Sequence, residues 1–261
     1  MRLNKSIKIF INYFLGPLLF AWLAVSIYRQ VAQQPHLEES WQHIKQSLTS
    51  PKISALAGVI VLMLANWGVE AYKWKLSVSA IHPVSFLQSF KAILSGVTFS
   101  VTLPNRIGEY AGRLMFMPEG KRLKAIANTI TGNIGQLLVT LASGLAGLAA
   151  LRPHMASADW FDAYWYQLLF YAILVATVFL TFFYFCIARI SRWAAQRWPN
   201  SPYLYLIQSL RTFNVQLLLF LLLLSLLRYG IFVVQYFLLF SLFEVHASAA
   251  VVWCVISVVF L

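Results

Sequence analysis

From Phe213 to Phe243 the chain runs through a largely apolar stretch whose one charged residue is Arg228. Such a run exceeds the ~20 residues a helix needs to cross a ~30 Å hydrocarbon core. In hydrocarbon every backbone N–H and C=O must find its partner within the protein, so only helices and closed barrels cross. A barrel strand needs about ten residues, so runs of this length read as helices. Comparable runs extend from Ile9 to Ile27, Ile53 to Val69, about Ala125 to Leu151, and Tyr166 to Ile187. Composition agrees: 60% of residues are hydrophobic, 16% aromatic and 11% charged, against about half apolar and a quarter charged in soluble domains. The expected fold is all-α, a polytopic transmembrane helical bundle forming a single integral membrane domain over residues 1–261.

The two ends carry expectations of their own. Arg2, Lys5 and Lys8 precede the first run as in a secretory signal, but the run is too long and lacks a small-residue cleavage site, so it reads as a retained signal anchor. A last run begins at Ala247 and is only 15 residues in at Leu261. That is short of a crossing, so the sequence is expected to be incomplete at its C-terminal end.

Phe86 to Leu103 is long enough to cross, yet it holds Gln88, Lys91 and the hydroxyls of Ser89, Ser95, Thr98, Ser100 and Thr102. Lys and Arg favour cytoplasmic loops, so a charge count decides its path. If it crosses, alternation from a cytoplasmic N-terminus leaves twelve basic residues outside and six inside. If it dips in and returns, fourteen lie inside and four outside, with Lys91 and Arg228 in the membrane. The second path fits far better, and residues 86–117 are expected to form a re-entrant helical hairpin. Its return helix, about twelve residues or ~18 Å, is too short to span. Irregular backbone at such a tip is tolerated only when buried in protein or lining a wet cavity.

The tip reads "LPNRIGEYAGRLMF", Leu103 to Phe116. Pro104 cannot extend a helix and Asn105 is a good N-cap, so the return helix is expected to start there. Its free N–H groups favour an anion. Arg106, Glu109 and Arg113 fall within about 60° of one another on a helix, and Glu109 and Arg113 form a favourable i, i+4 pair. Guanidiniums beside a helix N-terminus suit a phosphate. Gly108 and Gly112, on the opposite face, have the spacing that lets another helix approach closely. The plainer alternative is a cytoplasmic loop with Arg106 and Arg113 as interfacial anchors.

Two spans carry further polar residues. Asn128, Thr131, Gly132, Gly135, Gln136 and Ser143 share one face, which serves either close helix packing or a cavity wall. Asn214, Arg228 and Gln235 recur at multiples of seven. An Arg near the middle of a span needs a partner or water, and Glu109 is the candidate counter-ion. Otherwise the helix breaks near Arg228 and leaves it at an interface. Leu37, Trp41, Ile44 and Leu48 have the spacing of an interfacial amphipathic helix. Tyr72 to Leu76, "YKWKL", reads as an interfacial anchor.

Catalytic chemistry is not signalled. Cys186 and Cys254 lie within expected spans, and His36, His43, His82, His154 and His246 have no metal-ligand spacing. No HExxH, Walker-type or nucleophile-elbow motif occurs. The expectation is a non-enzyme with no catalytic residues, cofactor or metal. The net charge of +12 flanks the spans on one side, which suits anionic lipid head groups rather than nucleic acid.

Leu103 to Phe116, the following "GKRLKAIANTITGNIGQLLVTL" at Gly120 to Leu141, and "YKWKL" together resemble the membrane region of the lysylphosphatidylglycerol synthase family. That family's pattern of Pro, a basic residue, Gly-Glu and a later Arg is matched by Pro104, Arg106, Gly108, Glu109 and Arg113. The family's soluble aminoacyl-transferase domain and its second Pro, Gly and Glu motif have no counterpart in these residues, so lipid lysylation is not expected. The resemblance implies flippase-like translocation, or binding, of a polar lipid in a bacterial inner membrane, with the N-terminus cytoplasmic. The substrate-binding residues it and the spacing suggest are Asn105, Arg106, Glu109, Arg113, Asn128, Gln136 and Arg228. The alternative is an accessory that presents a lipid phosphate to a glycosyltransferase or other lipid-modifying enzyme. Partners are accordingly a membrane phospholipid or other polar lipid, a lipid-modifying enzyme or a second copy of the chain.

Overall fold

A computed structural model of the protein describes residues 16–33, 37–39, 41–42, 45, 53–102, 107–156, 163–201, 204–243, 245 and 248–260. Every regular element among them is helical. In chain order the α-helices are α1 (Gly16–Ala32), α2 (Ile53–Val78), α3 (Phe86–Thr102), α4 (Ile107–Leu114), α5 (Arg122–Ala156), α6 (Ala163–Arg197), α7 (Leu204–Ser209), α8 (Val215–Leu242) and α9 (Ala249–Val259). Short 3-10 turns at Glu119–Lys121 and Leu210–Thr212 lead into α5 and follow α7.

Among the described residues four helices are long and apolar enough to cross a membrane: those spanning Ile53–Val78, Glu119–Arg152, Tyr164–Arg197 and Val215–Leu242. The chain is thus an all-α bundle built to be embedded in a membrane. Its outer faces agree, since Val175, Phe179 and Phe182 on α6 are each 68% exposed. Such a continuous apolar face is stable against lipid rather than water. Of the first expected span, α1 covers Gly16 to Ile27 and runs on to Ala32, while residues before Gly16 lie outside the described residues.

The helices overrun the apolar stretches that announced them. Hydropathy places the end of the second span at Val69, but α2, 26 residues long in all, continues to Val78. Its last turns are held by packing: Ala71, Trp74 and Val78 share a core with Val84, Ala92, Ile93, Met117 and Ala125. The Trp74 indole donates to the Thr129 hydroxyl at 3.1 Å. "YKWKL" is therefore only in part the anchor expected. Tyr72 is exposed, but Lys73 and Trp74 are each 2% exposed within the bundle.

α2 and α8 run antiparallel, since Val59 meets Gln235, Asn66 meets Arg228 and Lys73 meets Ser225. α8 does not break at Arg228. It is one 28-residue helix, opened by Asn214, whose side chain accepts from the Leu217 N–H at 2.7 Å. Asn214 is therefore a helix cap rather than a member of a polar stripe. A second core joins α5, α6 and α8 through Leu138, Tyr184, Ile187, Leu218 and Leu221, and the Tyr184 hydroxyl donates to the Leu218 carbonyl at 3.0 Å.

α3 begins at a capping box: the Ser85 N–H donates to the Gln88 side chain at 3.0 Å, and the Gln88 N–H to the Ser85 hydroxyl at 3.2 Å. Two donors at the helix start are thereby satisfied reciprocally. α3 and α4 then pack as an antiparallel helical hairpin. A Cβ at Gly112 would meet the Gly96 backbone, one at Gly108 the backbone of Phe99 and Ser100, and one at Gly96 the Glu109 carbonyl at 2.9 Å. The glycine spacing expected to admit a neighbouring helix admits α3. α4 has 8 residues, about 12 Å of rise. The connecting residues 103–106, with Pro104, Asn105 and Arg106, lie outside the described residues.

In the amphipathic segment before α2, residues 37–39, 41–42 and 45 are helical, with Leu37 and Trp41 exposed and the Lys45 ammonium 5.5 Å from the Trp41 ring centre. Ile44 and Leu48 lie outside the described residues.

Candidate functional site: an ion cluster facing a cavity

Asn66, Glu70 and Lys73 stand at i, i+4 and i+7 on α2, one above another on a single face. That face turns inward, where α8 and the α3–α4 hairpin cover it. Glu70, 2% exposed, gathers three cations. Its Oε1 accepts from Arg113 Nη2 at 3.0 Å, and its Oε2 from Lys73 Nζ at 2.9 Å and Arg228 Nη1 at 2.8 Å. Arg113 also lies 3.5 Å from Glu109, one turn back on α4. Lys73 reaches the Ser225 hydroxyl of α8 at 3.5 Å. Three helices, α2, α4 and α8, are thus tied together through one carboxylate.

Three cations face two carboxylates in this cluster, leaving one positive charge in excess. The excess matters because interior charges are weakly screened. Lys73 and Arg113 are closed in, with side chains 2% and 7% exposed. Arg228 differs, with 32% of its side chain exposed. Its Nε is held by the Asn66 carbonyl oxygen at 2.8 Å and its Nη1 by Glu70. No described residue bonds to its Nη2.

Arg228 opens onto a cavity of about 620 Å³. Asn66, Glu70 and Trp67 of α2, Glu109 of α4, Asn133, Gln136 and Thr140 of α5, Tyr229, Phe232 and Gln235 of α8, and Phe260 after α9 line it. The Tyr229 hydroxyl and Ser257 Oγ, 2.7 Å apart, tie α8 to α9. Phe260 stacks edge-on against Phe232 at 4.9 Å, closing that end.

The residues singled out from sequence divide among several places. Glu109 lines the cavity and makes the expected pair with Arg113, but it is not the counter-ion of Arg228. That role falls to Glu70, because α2 rather than α4 packs along α8. Arg113 points into the cluster, where its Nε is buried without a partner. Asn105 and Arg106 lie outside the described residues.

The small-residue stripe of α5 serves both of its expected purposes at different positions. Gly132 and Gly135 admit Ser77 and Tyr184, with a Cβ on either reaching their side chains at 3.0 and 3.1 Å. Asn128, fully buried, donates to the Ser77 carbonyl at 2.9 Å. Gln136 lines the cavity, and its Oε1 is buried with no partner. Ser143 faces a separate apolar groove between α5, α6 and α8.

Sequence reading missed Asn66, Glu70 and Lys73 as site residues. Their signal was the i, i+4, i+7 spacing in "NWGVEAYK", Asn66 to Lys73, at the edge of an apolar run. Ionisable residues inside such a run are functional candidates by default. Among the described residues no three His, Cys, Asp or Glu come together as a metal site would require. In comparisons with known proteins the chain matches no protein-family model, no curated protein and no solved structure.

Proposed function

We propose that the protein binds a polar lipid by its anionic head group and moves it between the leaflets of a bacterial inner membrane. In this reading it is a flippase-like relative of the lysylphosphatidylglycerol synthase membrane region, with its N-terminus in the cytoplasm and α3–α4 as a re-entrant hairpin. The observation that carries the reading is the cluster at Glu70. An intramembrane site with one positive charge in excess, and one guanidinium opening onto a polar cavity, is the complement of a phosphate.

The division of labour follows from exposure. Lys73 and Arg113 hold Glu70 and the helices in place, and Arg228 receives the phosphate through its unengaged Nη2. A phosphodiester carries one negative charge, which balances the excess. Ligand sites between discontinuous or short helices at the centre of a bundle are a recurrent transporter arrangement, which supports the reading by analogy.

Reconstituted in vesicles with a tail-labelled phospholipid, the wild-type chain is expected to expose inner-leaflet label to an external quencher. Arg228→Gln, which keeps the Asn66 and Glu70 side chains but removes the charge, is expected to slow this at least tenfold. Wild-type exchange from Arg228→Gln would overturn the proposal. Lipid binding without any unaided exchange would instead match a subunit that presents lipid to an enzyme.

A further inference from the structure

We infer that the cavity selects a neutral, hydroxyl-rich head group, a glycerol or a sugar, carried on a single phosphodiester. The inference rests on the lipid-binding reading above and specifies the ligand class of the same site.

It comes from what the cavity's amides have left to offer. Asn133 donates through its Nδ2 to the Tyr110 hydroxyl at 3.2 Å, and Gln235 through its Nε2 to the Val59 carbonyl at 3.2 Å. The bonds of both side chains leave from nitrogen, so their carbonyl oxygens remain as acceptors on the wall. Gln136 adds a third, an Oε1 that is buried and has no partner. A buried acceptor left unsatisfied is unfavourable, so the Gln136 Oε1 favours a ligand that brings hydrogen-bond donors, and the Asn133 and Gln235 oxygens, which are not closed in, offer it two further acceptors on the same wall.

Hydroxyls and ammonium groups both donate, and the charges separate them. Each described carboxylate of the site is already engaged, Glu70 by three cations and Glu109 by Arg113. After the phosphodiester offsets the one excess charge, a cationic head group finds no unpaired carboxylate and lies beside three fixed cations. A choline group would meet aromatic rings that suit it, yet it has no donor for the three carbonyls. A polyol satisfies both demands. Its hydroxyls reach the amides, while its C–H faces rest on Trp67 and Phe232, the mixed apolar and polar lining typical of small-molecule pockets.

The test uses the purified full chain in detergent and short-chain lipids: dihexanoyl phosphatidylglycerol, phosphatidylethanolamine, phosphatidylcholine and phosphatidic acid, and a short polyprenyl-phosphate hexose. Native mass spectrometry reads the relative affinities. The glycerol or hexose phosphodiester is expected to bind at least roughly tenfold tighter than the ethanolamine and choline lipids, because choline brings no donor to the acceptors on the wall and the ethanolamine ammonium has no unpaired carboxylate to meet. Gln136→Leu is expected to shrink that preference roughly three- to tenfold, the effect of one hydrogen bond, with phosphatidic acid binding unchanged. Gln136→Met gives the same readout should the leucine variant fail to fold.

A stronger signal from phosphatidylglycerol identifies a glycerophospholipid as the source, and one from the hexose lipid a polyprenyl carrier; either supports the inference. Ethanolamine or choline lipids bound as tightly as these, or a preference untouched by both Gln136 variants, would overturn it while leaving the lipid-binding reading in place. Failure of every phosphodiester lipid to bind would overturn both.

Discussion

A carboxylate that is 2% exposed and accepts from Lys73, Arg113 and Arg228 at 2.8 to 3.0 Å cannot be neutralised without consequence. Removing one side of a buried ion cluster leaves the other uncompensated, at a cost of about 3–5 kcal/mol. Glu70→Gln is accordingly expected to lower the stability of the detergent-solubilised protein by about that amount, read from chemical unfolding. Adding Lys73→Met to it should restore part of the loss, since one fewer cation is then left unpaired. Equal stability of Glu70→Gln and wild type would show that the cluster does not hold the bundle together. At this scale the sequence was half legible. The Glu109–Arg113 pair follows from local helix spacing. The pairing of Glu70 with Arg228, 158 residues apart in the chain, does not, because nothing local says which helix lies against α8.

Helices were legible where hydropathy or chemistry acts locally, and less so at their ends. The long apolar run around Arg228 did become one helix, α8, but α2 outran its apolar stretch by reaching Val78, since tertiary packing around Trp74 replaces the lipid that hydropathy assumes. In the α3–α4 hairpin the glycines at 108 and 112 could be read as a contact face, whereas Gly96, the partner of Gly112, stood alone in a run of hydroxyls. The contact is tight enough to test. A methyl group at Gly112 would enter the Gly96 backbone, while Gly120 has nothing within 4 Å. Gly112→Ala is therefore expected to destabilise the protein by about 1–3 kcal/mol, the usual range for overpacking. Gly120→Ala is expected to be silent in the same thermal unfolding experiment. No difference between the two would mean that the hairpin does not close as described.

Among the described residues apolar side chains cover the outside of α6 and α8 as well as filling the two cores, and the buried charged residues Glu70, Lys73 and Arg113 converge on one cluster beside the cavity. Composition and charge placement were enough to give the all-α membrane bundle. They were not enough to assemble Asn66, Asn133, Gln136, Arg228 and Gln235 around one space, since that depends on helix rotations set by packing. The reading that unites these features is that the cavity holds an anionic lipid head group at Arg228. Thr140 lines the cavity, and its hydroxyl bonds only to its own helix at the Gln136 carbonyl, 3.1 Å away, so it is a harmless place for a reporter. With Cys186 and Cys254 replaced by alanine, Thr140→Cys should react with a small water-soluble thiol reagent, and added phosphatidylglycerol should slow that reaction in the wild-type background but not alongside Arg228→Gln. A thiol that reacts at the same rate with and without the lipid, or that phosphatidylglycerol protects equally when Arg228 is gone, would contradict it.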